Sequence, residues 1–227
     1  MKLYNFRFGP YPQRVSVYLA EKGISDFELI EYEAPSSRIT WPPSDIKFIS
    51  KAGSLPIVVD DDGTTVTQSL AILEYLEDTR PGPDMRGATA AARARTREFI
   101  VVLDDALTFS GLWAVYGSDL GGRDKDEYRA AIEIGATRYF KKLRLIDSMM
   151  KDTKFIASDS VTTADCVAIA TLQYMVSFYE VPIPPDCHRI KNWYDRFSLR
   201  PSAAGCKFPP EQHNIARQLM AQTNIVF

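Results

Sequence analysis

The middle of the chain places a proline in a strand and polar residues at the start of a helix. Gly53-Ser54-Leu55-Pro56 leads into a β-branched run, and Gln68-Ser69 opens the next helical segment. A proline has no N–H for a strand ladder, so Pro56 belongs at an edge or in a bend. A cis Leu55-Pro56 bond would expose the Leu55 backbone to a peptide-like ligand. The hydroxyl, amide and N–H groups of Gln68-Ser69 suit a carboxylate.

Each half of this pattern also has a simpler explanation. A trans proline on an edge strand accounts for Pro56 by itself, and an N-cap accounts for Ser69 by itself. The two features together, separated by a strand and a turn, favour a binding site.

The elements that must position these residues follow from the local patterns. The first part of the chain predicts a strand, a helix closed by a glycine, a second strand, an irregular connection, two further strands and a helix. These segments are Lys2 to Phe6, Arg14 to Gly23, Phe27 to Tyr32, Ala34 to Ser44, Leu55 to Val59, Thr64 to Thr67 and Ser69 to Asp78. Their order is β-α-β, a linker, then β-β-α.

The rest of the chain has almost no strand signal. A segment rich in proline and glycine, residues 80–84, reads as a linker between a domain over residues 1–79 and an all-helical domain over residues 85–227. Helices are predicted at Ala88 to Tyr116, Glu127 to Met150, Thr163 to Val181, Arg189 to Ser198 and Pro210 to Thr223. The third of these is apolar on nearly every side, which predicts a buried helix, and Thr162 with Asp165 has the form of a capping box at its start.

Three segments together carry a family resemblance: PYPQRVSVYLAEKGI, GSLPIVVDDDGTTVTQSLAILEYLED and TTAD. With them the sequence resembles the cytosolic glutathione S-transferases over nearly its whole length, and fungal members of biosynthetic pathways in particular. The resemblance implies a thioredoxin-like α/β domain followed by an all-helical domain, a homodimer, and glutathione as co-substrate. It implies that Leu55 pairs with the cysteinyl unit and that Gln68 and Ser69 hold the γ-glutamyl end.

The same resemblance places Ser54 near the glycyl end of glutathione. Lys51 would add positive charge there, although a solvated lysine is an equally good interpretation.

The residue that activates the thiol departs from the family pattern. Relatives carry Tyr at the end of the first strand, or Ser or Cys before the first helix, and here Asn5 and Gly9 take those positions. The remaining candidate donors are the Asn5 amide, the Tyr11 hydroxyl and the backbone N–H groups from Tyr11 to Gln13. A hydrogen-bonding strand end for Asn5 and a half-buried aromatic for Tyr11 are equally good interpretations.

The chemistry that remains needs only a bound thiolate beside an electrophile. Without Cys at position 9, a mixed disulfide there is impossible, which disfavours thioltransferase activity. Conjugate addition to an activated double bond and cis-trans isomerisation both remain. The alternatives are a non-catalytic carrier or interaction protein of this fold and a glutathione-dependent peroxidase.

Aromatic residues are the candidates for contacting an electrophile. Phe8 comes from the first domain, and Phe109, Trp113 and Tyr116 share one helix face because they are spaced by four and three. An ordinary core stripe is the alternative for the helical set.

Composition restricts the partners. The net charge of −2 provides no basic surface for nucleic acid or anionic lipid. No signal peptide pattern and no run approaching about 20 apolar residues is found, which predicts a cytosolic protein. The cysteines and histidines are too few and too widely spaced for a disulfide scaffold or a metal site; they are Cys166, Cys187, Cys206, His188 and His213.

Overall fold

The computed structural model describes residues 1–32, 45–118 and 124–204. It divides into two compact units, Met1–Met85 and Arg86–Phe227. The predicted connection Ala34 to Ser44 and the predicted helix Pro210 to Thr223 lie outside the described residues, as do Cys206 and His213.

The first unit is a four-stranded sheet with helices. In chain order its elements are β1 (Lys2–Phe6), α1 (Pro10–Lys22), β2 (Glu28–Tyr32), α2 (Ile46–Ile49), β3 (Ile57–Val59), β4 (Thr65–Thr67) and α3 (Ser69–Thr79). The strands are arranged β2-β1-β3-β4. The β1/β2 pair is parallel, with Leu3 opposite Leu29, whereas β1/β3 and β3/β4 are antiparallel. The predicted orders β-α-β and β-β-α are confirmed, with the short helix α2 between them.

Alternation along β1 separates two faces of this sheet. Tyr4 and Phe6 pack on a core formed by Ile46, Leu55 and Ile57, so they face α2. Leu3 and Asn5 therefore point to the opposite face, where α1 and α3 contact each other, β1 and β3.

Helix α2 was not predicted from the sequence. Its four residues, Ile46–Ile49, are too few for a helical period to be recognised. The helix forms because Ile46 is fully buried in the core beneath the sheet.

A buried ion pair connects the ends of α1 and α3 to the segment that follows. Lys22 Nζ lies 2.9 Å from Glu77 Oε2, and neither side chain is exposed. Glu77 also accepts hydrogen bonds from the Tyr18 hydroxyl at 2.8 Å and from the Met85 N–H at 3.1 Å. Three donors around one carboxylate satisfy a charge that would otherwise be costly to bury, and they hold Met85 in the first unit.

All regular secondary structure in the described residues of the second unit is helical. Its long elements are α4 (Ala90–Gly117), α5 (Arg129–Met149), α6 (Thr163–Gln173) and α7 (His188–Phe197). Helix α4 contacts both α5 and α6. At Gly135 of α5 a Cβ atom would lie 2.8 Å from the Trp113 backbone nitrogen and 2.9 Å from the Phe109 backbone oxygen. The close approach of α4 and α5 therefore depends on this glycine.

The buried helix ends earlier than the sequence predicted. Helix α6 stops at Gln173 and passes into a π-helical turn, Tyr174–Phe178, before reaching Val181. Glu180 has φ 56°, and the Val181 N–H donates to the Met175 oxygen at 3.0 Å. A segment that is apolar on nearly every side has no hydrophobic period, so its sequence gives no signal where the α-helix changes to a π-helical turn.

The predicted capping box at the start of α6 is present. The Asp165 Oδ2 atom accepts from the Thr162 N–H at 2.8 Å and from the Thr162 hydroxyl at 2.9 Å. Its Oδ1 atom accepts from the Ile156 N–H at 3.0 Å and from Trp193 Nε1 at 2.9 Å. Asp165 therefore joins α6 to α7 and to the loop before α6, beyond the local role that the sequence predicted.

Within the described residues, one helix is long and apolar enough to cross a membrane. An 18-residue window of Ala90–Gly117 has a mean hydropathy of 1.5, and 44% of that window is buried. The sequence had predicted no apolar segment of this length. The core helix of a soluble protein meets the same length and composition criteria, so this is weak evidence for a membrane span.

Candidate functional site

The segment before β3 exposes one stretch of backbone. The Leu55-Pro56 bond is cis, as predicted, and Gly53 has φ 58°, a conformation that favours glycine. Within the described part of the chain, no backbone hydrogen bond is made by Leu55. Its N–H and C=O remain available to pair with an extended ligand.

The start of α3 carries the two polar residues of the motif. Ser69 is the first helical residue and is only 4% exposed. Gln68 is exposed and has φ 70° and ψ 120°, which is unusual for a residue with a side chain. No side chain caps this helix end, so its first N–H groups are suited to an anion.

Arg14 is a polar residue of this region that the sequence analysis missed. It is 1% exposed, and its Nη1 atom donates to the Ser69 hydroxyl oxygen at 3.4 Å. Its guanidinium lies 4.9 Å from the centre of the Tyr11 ring, within cation–π range. Its burial could have been predicted from spacing, because Arg14 lies four residues before Tyr18 and therefore on the same buried face of α1.

The first turn of α1 offers few donors to a thiolate. Pro10 and Pro12 have no N–H, and the Gln13 N–H donates to the Gly9 oxygen at 3.0 Å. The N–H groups from Tyr11 to Gln13 were predicted to have this role, and for Gln13 the structure corrects the prediction. At most one N–H, that of Tyr11, precedes Gln13 in the helix.

Gly9 has no space for a side chain. A Cβ atom there would lie 2.9 Å from the Pro12 Cδ atom and 3.1 Å from the Phe6 Cδ1 atom. The first contact requires an atom to shift, and the Pro12 ring is fixed to the backbone; the second contact is tight. A serine or cysteine at this position would therefore require the first turn of α1 to shift.

Asn5 is buried on the face of the sheet that α1 and α3 cover. It is 5% exposed, and its Oδ1 atom makes no hydrogen bond to any described residue. Tyr11, by contrast, is 42% exposed. The burial of Asn5 makes direct contact with a bound thiol more difficult than for Tyr11, and the catalytic role of both residues stays a prediction.

The two residues predicted for the glycyl end are accessible. Lys51 is exposed, and Ser54 is half-buried between Gly53 and Leu55. The structure brings Arg14 into contact with both Ser69 and Tyr11, while Lys51 and Ser54 lie in the loop before the cis proline.

The predicted aromatic residues have different environments. Phe8 is half-buried, with its ring 5.8 Å from that of Phe6. Trp113 is fully buried, with its ring 5.5 Å from that of Phe140; this is the core role that the sequence analysis left open. Phe109 is half-buried, and Tyr116 is also half-buried, where it stacks on Tyr128 at 4.5 Å.

The sequence matches two family models, each covering one part of the chain. Residues 8–79 match the glutathione S-transferase N-terminal domain, and residues 129–196 match the glutathione S-transferase C-terminal domain. The chain belongs to the glutathione S-transferase family. The predicted family and the predicted fold class, a thioredoxin-like domain followed by a helical domain, are both confirmed.

Individual relatives agree with this membership. The chain is 26% identical over 213 residues to glutathione S-transferase 2 of Saccharomyces cerevisiae, covering 89% of this chain and 87% of the relative. The crystal structure of Gtt2 from the same yeast has a TM-score of 0.76 at 22% identity, covering 90% of this chain and 99% of that one. A glutathione S-transferase from Methylobacillus flagellatus, solved with glutathione bound, has a TM-score of 0.77 at 21% identity, covering 89% and 96%.

Proposed function

We propose that this protein is a glutathione transferase that directs the thiolate of bound glutathione at a small apolar electrophile. The observation that carries the proposal is the pairing of an available backbone edge at Leu55 with the uncapped start of α3 at Ser69. A tripeptide with two carboxylates needs both features. Family membership and the glutathione bound to the Methylobacillus flagellatus relative support it.

The proposed pose follows from the chemistry of each part of the tripeptide. The cysteinyl backbone pairs with Leu55, beside Pro56. The γ-glutamyl carboxylate binds at Gln68 and Ser69, where helix N–H groups and a hydroxyl favour negative charge. The glycyl carboxylate lies toward Ser54 and Lys51, whose exposed ammonium adds a positive charge.

Activation of the thiol depends on few groups. A free thiol has a pKa of about 8.5, which donors and a helix N-terminus lower. The candidates are the backbone and hydroxyl of Tyr11 and the Asn5 amide. Because helix α1 itself favours negative charge at its start, we expect Tyr11→Phe and Asn5→Ala each to slow turnover less than about tenfold. A loss of about a hundredfold in either variant would instead assign activation to that side chain.

Two reactions are compatible with this site. In conjugate addition, the thiolate attacks an activated double bond and the resulting carbanion takes a proton. In isomerisation, the thiolate adds, the former double bond rotates, and expulsion of the thiolate restores the double bond. A specialised biosynthetic substrate is part of the proposal. The aromatic residues predicted to contact the electrophile, Phe8 in the first unit and Phe109 and Tyr116 in the second, stay predictions.

A non-catalytic glutathione-binding protein is the second candidate. The absence of a side chain at Gly9 and the burial of Asn5 favour it, because the positions that relatives use for activation are empty or inaccessible.

Calorimetry and a product search distinguish these functions. Glutathione is titrated into the wild type, into Ser69→Ala, and into Ser148→Ala as a matched control at an exposed helical serine. We expect Ser69→Ala to raise the dissociation constant about 10- to 100-fold, because a hydrogen bond to a charged group is lost, and Ser148→Ala to leave it unchanged. Binding with no adduct or isomerised product from an activated alkene would favour the non-catalytic protein. No binding to the wild type would refute both.

We also propose a homodimer located in the cytosol. An apolar cavity of about 500 Å³ on α4, beside Met149, includes Val101, which is 55% exposed. A second copy is the simplest partner for such a surface. Val101→Glu should halve the mass in light scattering, whereas Ile134→Glu, at a side chain 53% exposed on α5, should not. A monomeric wild type would refute the dimer, and a tagged protein outside the cytosol would refute the location.

A further inference from the structure

The Ser69 hydroxyl accepts a hydrogen bond from one described residue and donates to none. It is buried, and it accepts a hydrogen bond from Arg14 Nη1 at 3.4 Å. Its own O–H donates to none of the described residues. A hydroxyl polarised by a cation on one side is a better donor on the other, so Ser69 is prepared for an acceptor that arrives with the ligand.

The charge of Arg14 is held in place. The side chain is 1% exposed, it starts from the first turns of α1, and its guanidinium packs against the Tyr11 ring at 4.9 Å. A guanidinium is always protonated and directs its N–H groups in fixed directions. Low local polarity strengthens its field compared with a charge in water.

We propose that Arg14 is a positioning residue that selects ligands with a carboxylate at the start of α3, acting through Ser69. This inference rests on the proposed glutathione function and adds the residue that makes the γ-glutamyl carboxylate a requirement. Arg14 orients the Ser69 hydroxyl so that its proton faces the carboxylate, and its charge favours an anion there. A neutral group at the same place would gain neither contribution.

The test pairs a change in the protein with a change in the ligand. Dissociation constants are measured by calorimetry for glutathione and for an analogue in which 4-aminobutyrate replaces the γ-glutamyl residue, which removes only the α-carboxylate. For the wild type we expect the analogue to bind about 10- to 100-fold more weakly, since a charge-assisted hydrogen bond is lost. For Arg14→Met and Ser69→Ala we expect the two ligands to differ less than about threefold.

Two further variants separate selection from folding. Arg14→Lys keeps the charge without the planar donor group, so we expect it to recover part of the discrimination. Arg138→Met, at an exposed arginine of α5, is the matched control and should discriminate between the two ligands as strongly as the wild type does. Thermal unfolding identifies any variant that does not fold, and Ser69→Ala then carries the test.

The outcomes separate this inference from the function on which it rests. If the wild type binds neither ligand, the proposed function and the inference both fail. If the wild type prefers glutathione and Arg14→Met weakens both ligands by the same factor, Arg14 is only structural and the inference alone is overturned. A preference that collapses in Arg14→Met and persists in Arg138→Met supports it.

Discussion

Replacing Asp165 by alanine should lower the free energy of unfolding of the helical unit by much more than removal of a helix cap would. A cap is worth about 0.5–2 kcal/mol, which was the expectation from the sequence. The structure adds the Ile156 N–H and Trp193 Nε1 to the donors on this carboxylate, which is fully buried. Its burial raises the pKa of Asp165, and the hydrogen bonds from its donors oppose that shift.

The magnitude follows from the donors that would lose their acceptor. Alanine leaves three buried N–H groups unsatisfied, those of Ile156, Thr162 and Trp193, at about 1–3 kcal/mol each. Relief from burying a charge offsets part of this cost. We therefore expect a loss of about 3–5 kcal/mol, a large share of the 5–15 kcal/mol typical of a domain.

Urea denaturation followed by far-UV circular dichroism measures this loss. Asp159→Ala is the matched control, because that carboxylate accepts one hydrogen bond from the Lys154 N–H at an exposed site; it should cost less than about 1 kcal/mol. Trp193→Phe removes one donor and should cost about 1–2 kcal/mol. In the double variant Asp165→Ala with Trp193→Phe, the indole N–H that Asp165→Ala would leave without an acceptor is absent. The double variant should therefore lose less stability than the sum of the two single losses. A loss below about 1 kcal/mol for Asp165→Ala, or full additivity, would refute this reasoning.

Three further predictions concern other contacts. Gly135→Ala should destabilise the helical unit by about 1–3 kcal/mol, because its Cβ would meet the Trp113 backbone at 2.8 Å; an unchanged urea midpoint would contradict this. Gly9→Ser should lower the melting temperature and turnover because of the crowding at that position, and faster turnover would show that the site can accept a serine there. The hydrogen bond from Arg80 lowers the pKa of Asp60 to about 2 from 3.8, so this pair stabilises the fold above pH 3.8 and the contribution is lost as the pH falls toward 2. Wild type and Asp60→Asn should differ by about 2 kcal/mol at neutral pH and converge at low pH, and a constant difference across that range would rule out the linkage.

The sequence by itself determined the features that depend on neighbouring residues. Strand β1 was predicted with the bounds Lys2–Phe6, because alternation and the following Gly-Pro segment act locally. Gly23 closes α1 with φ 73°, as its position after the helix predicted. For Pro56 the local sequence left two possibilities open, a trans proline on an edge strand and a cis bond. Only its combination with Gln68-Ser69 favoured the cis bond, which the structure has.

Tertiary structure alone decided which distant residues meet. Arg14 and Ser69 are 55 positions apart, and only the packing of α1 beside α3 brings them together. Trp113 had the spacing of a ligand-facing stripe, but α5 packs against that face and buries it. Spacing along one helix defines which residues share a face. Whether that face meets a ligand or another helix depends on tertiary packing, which the local sequence pattern does not encode.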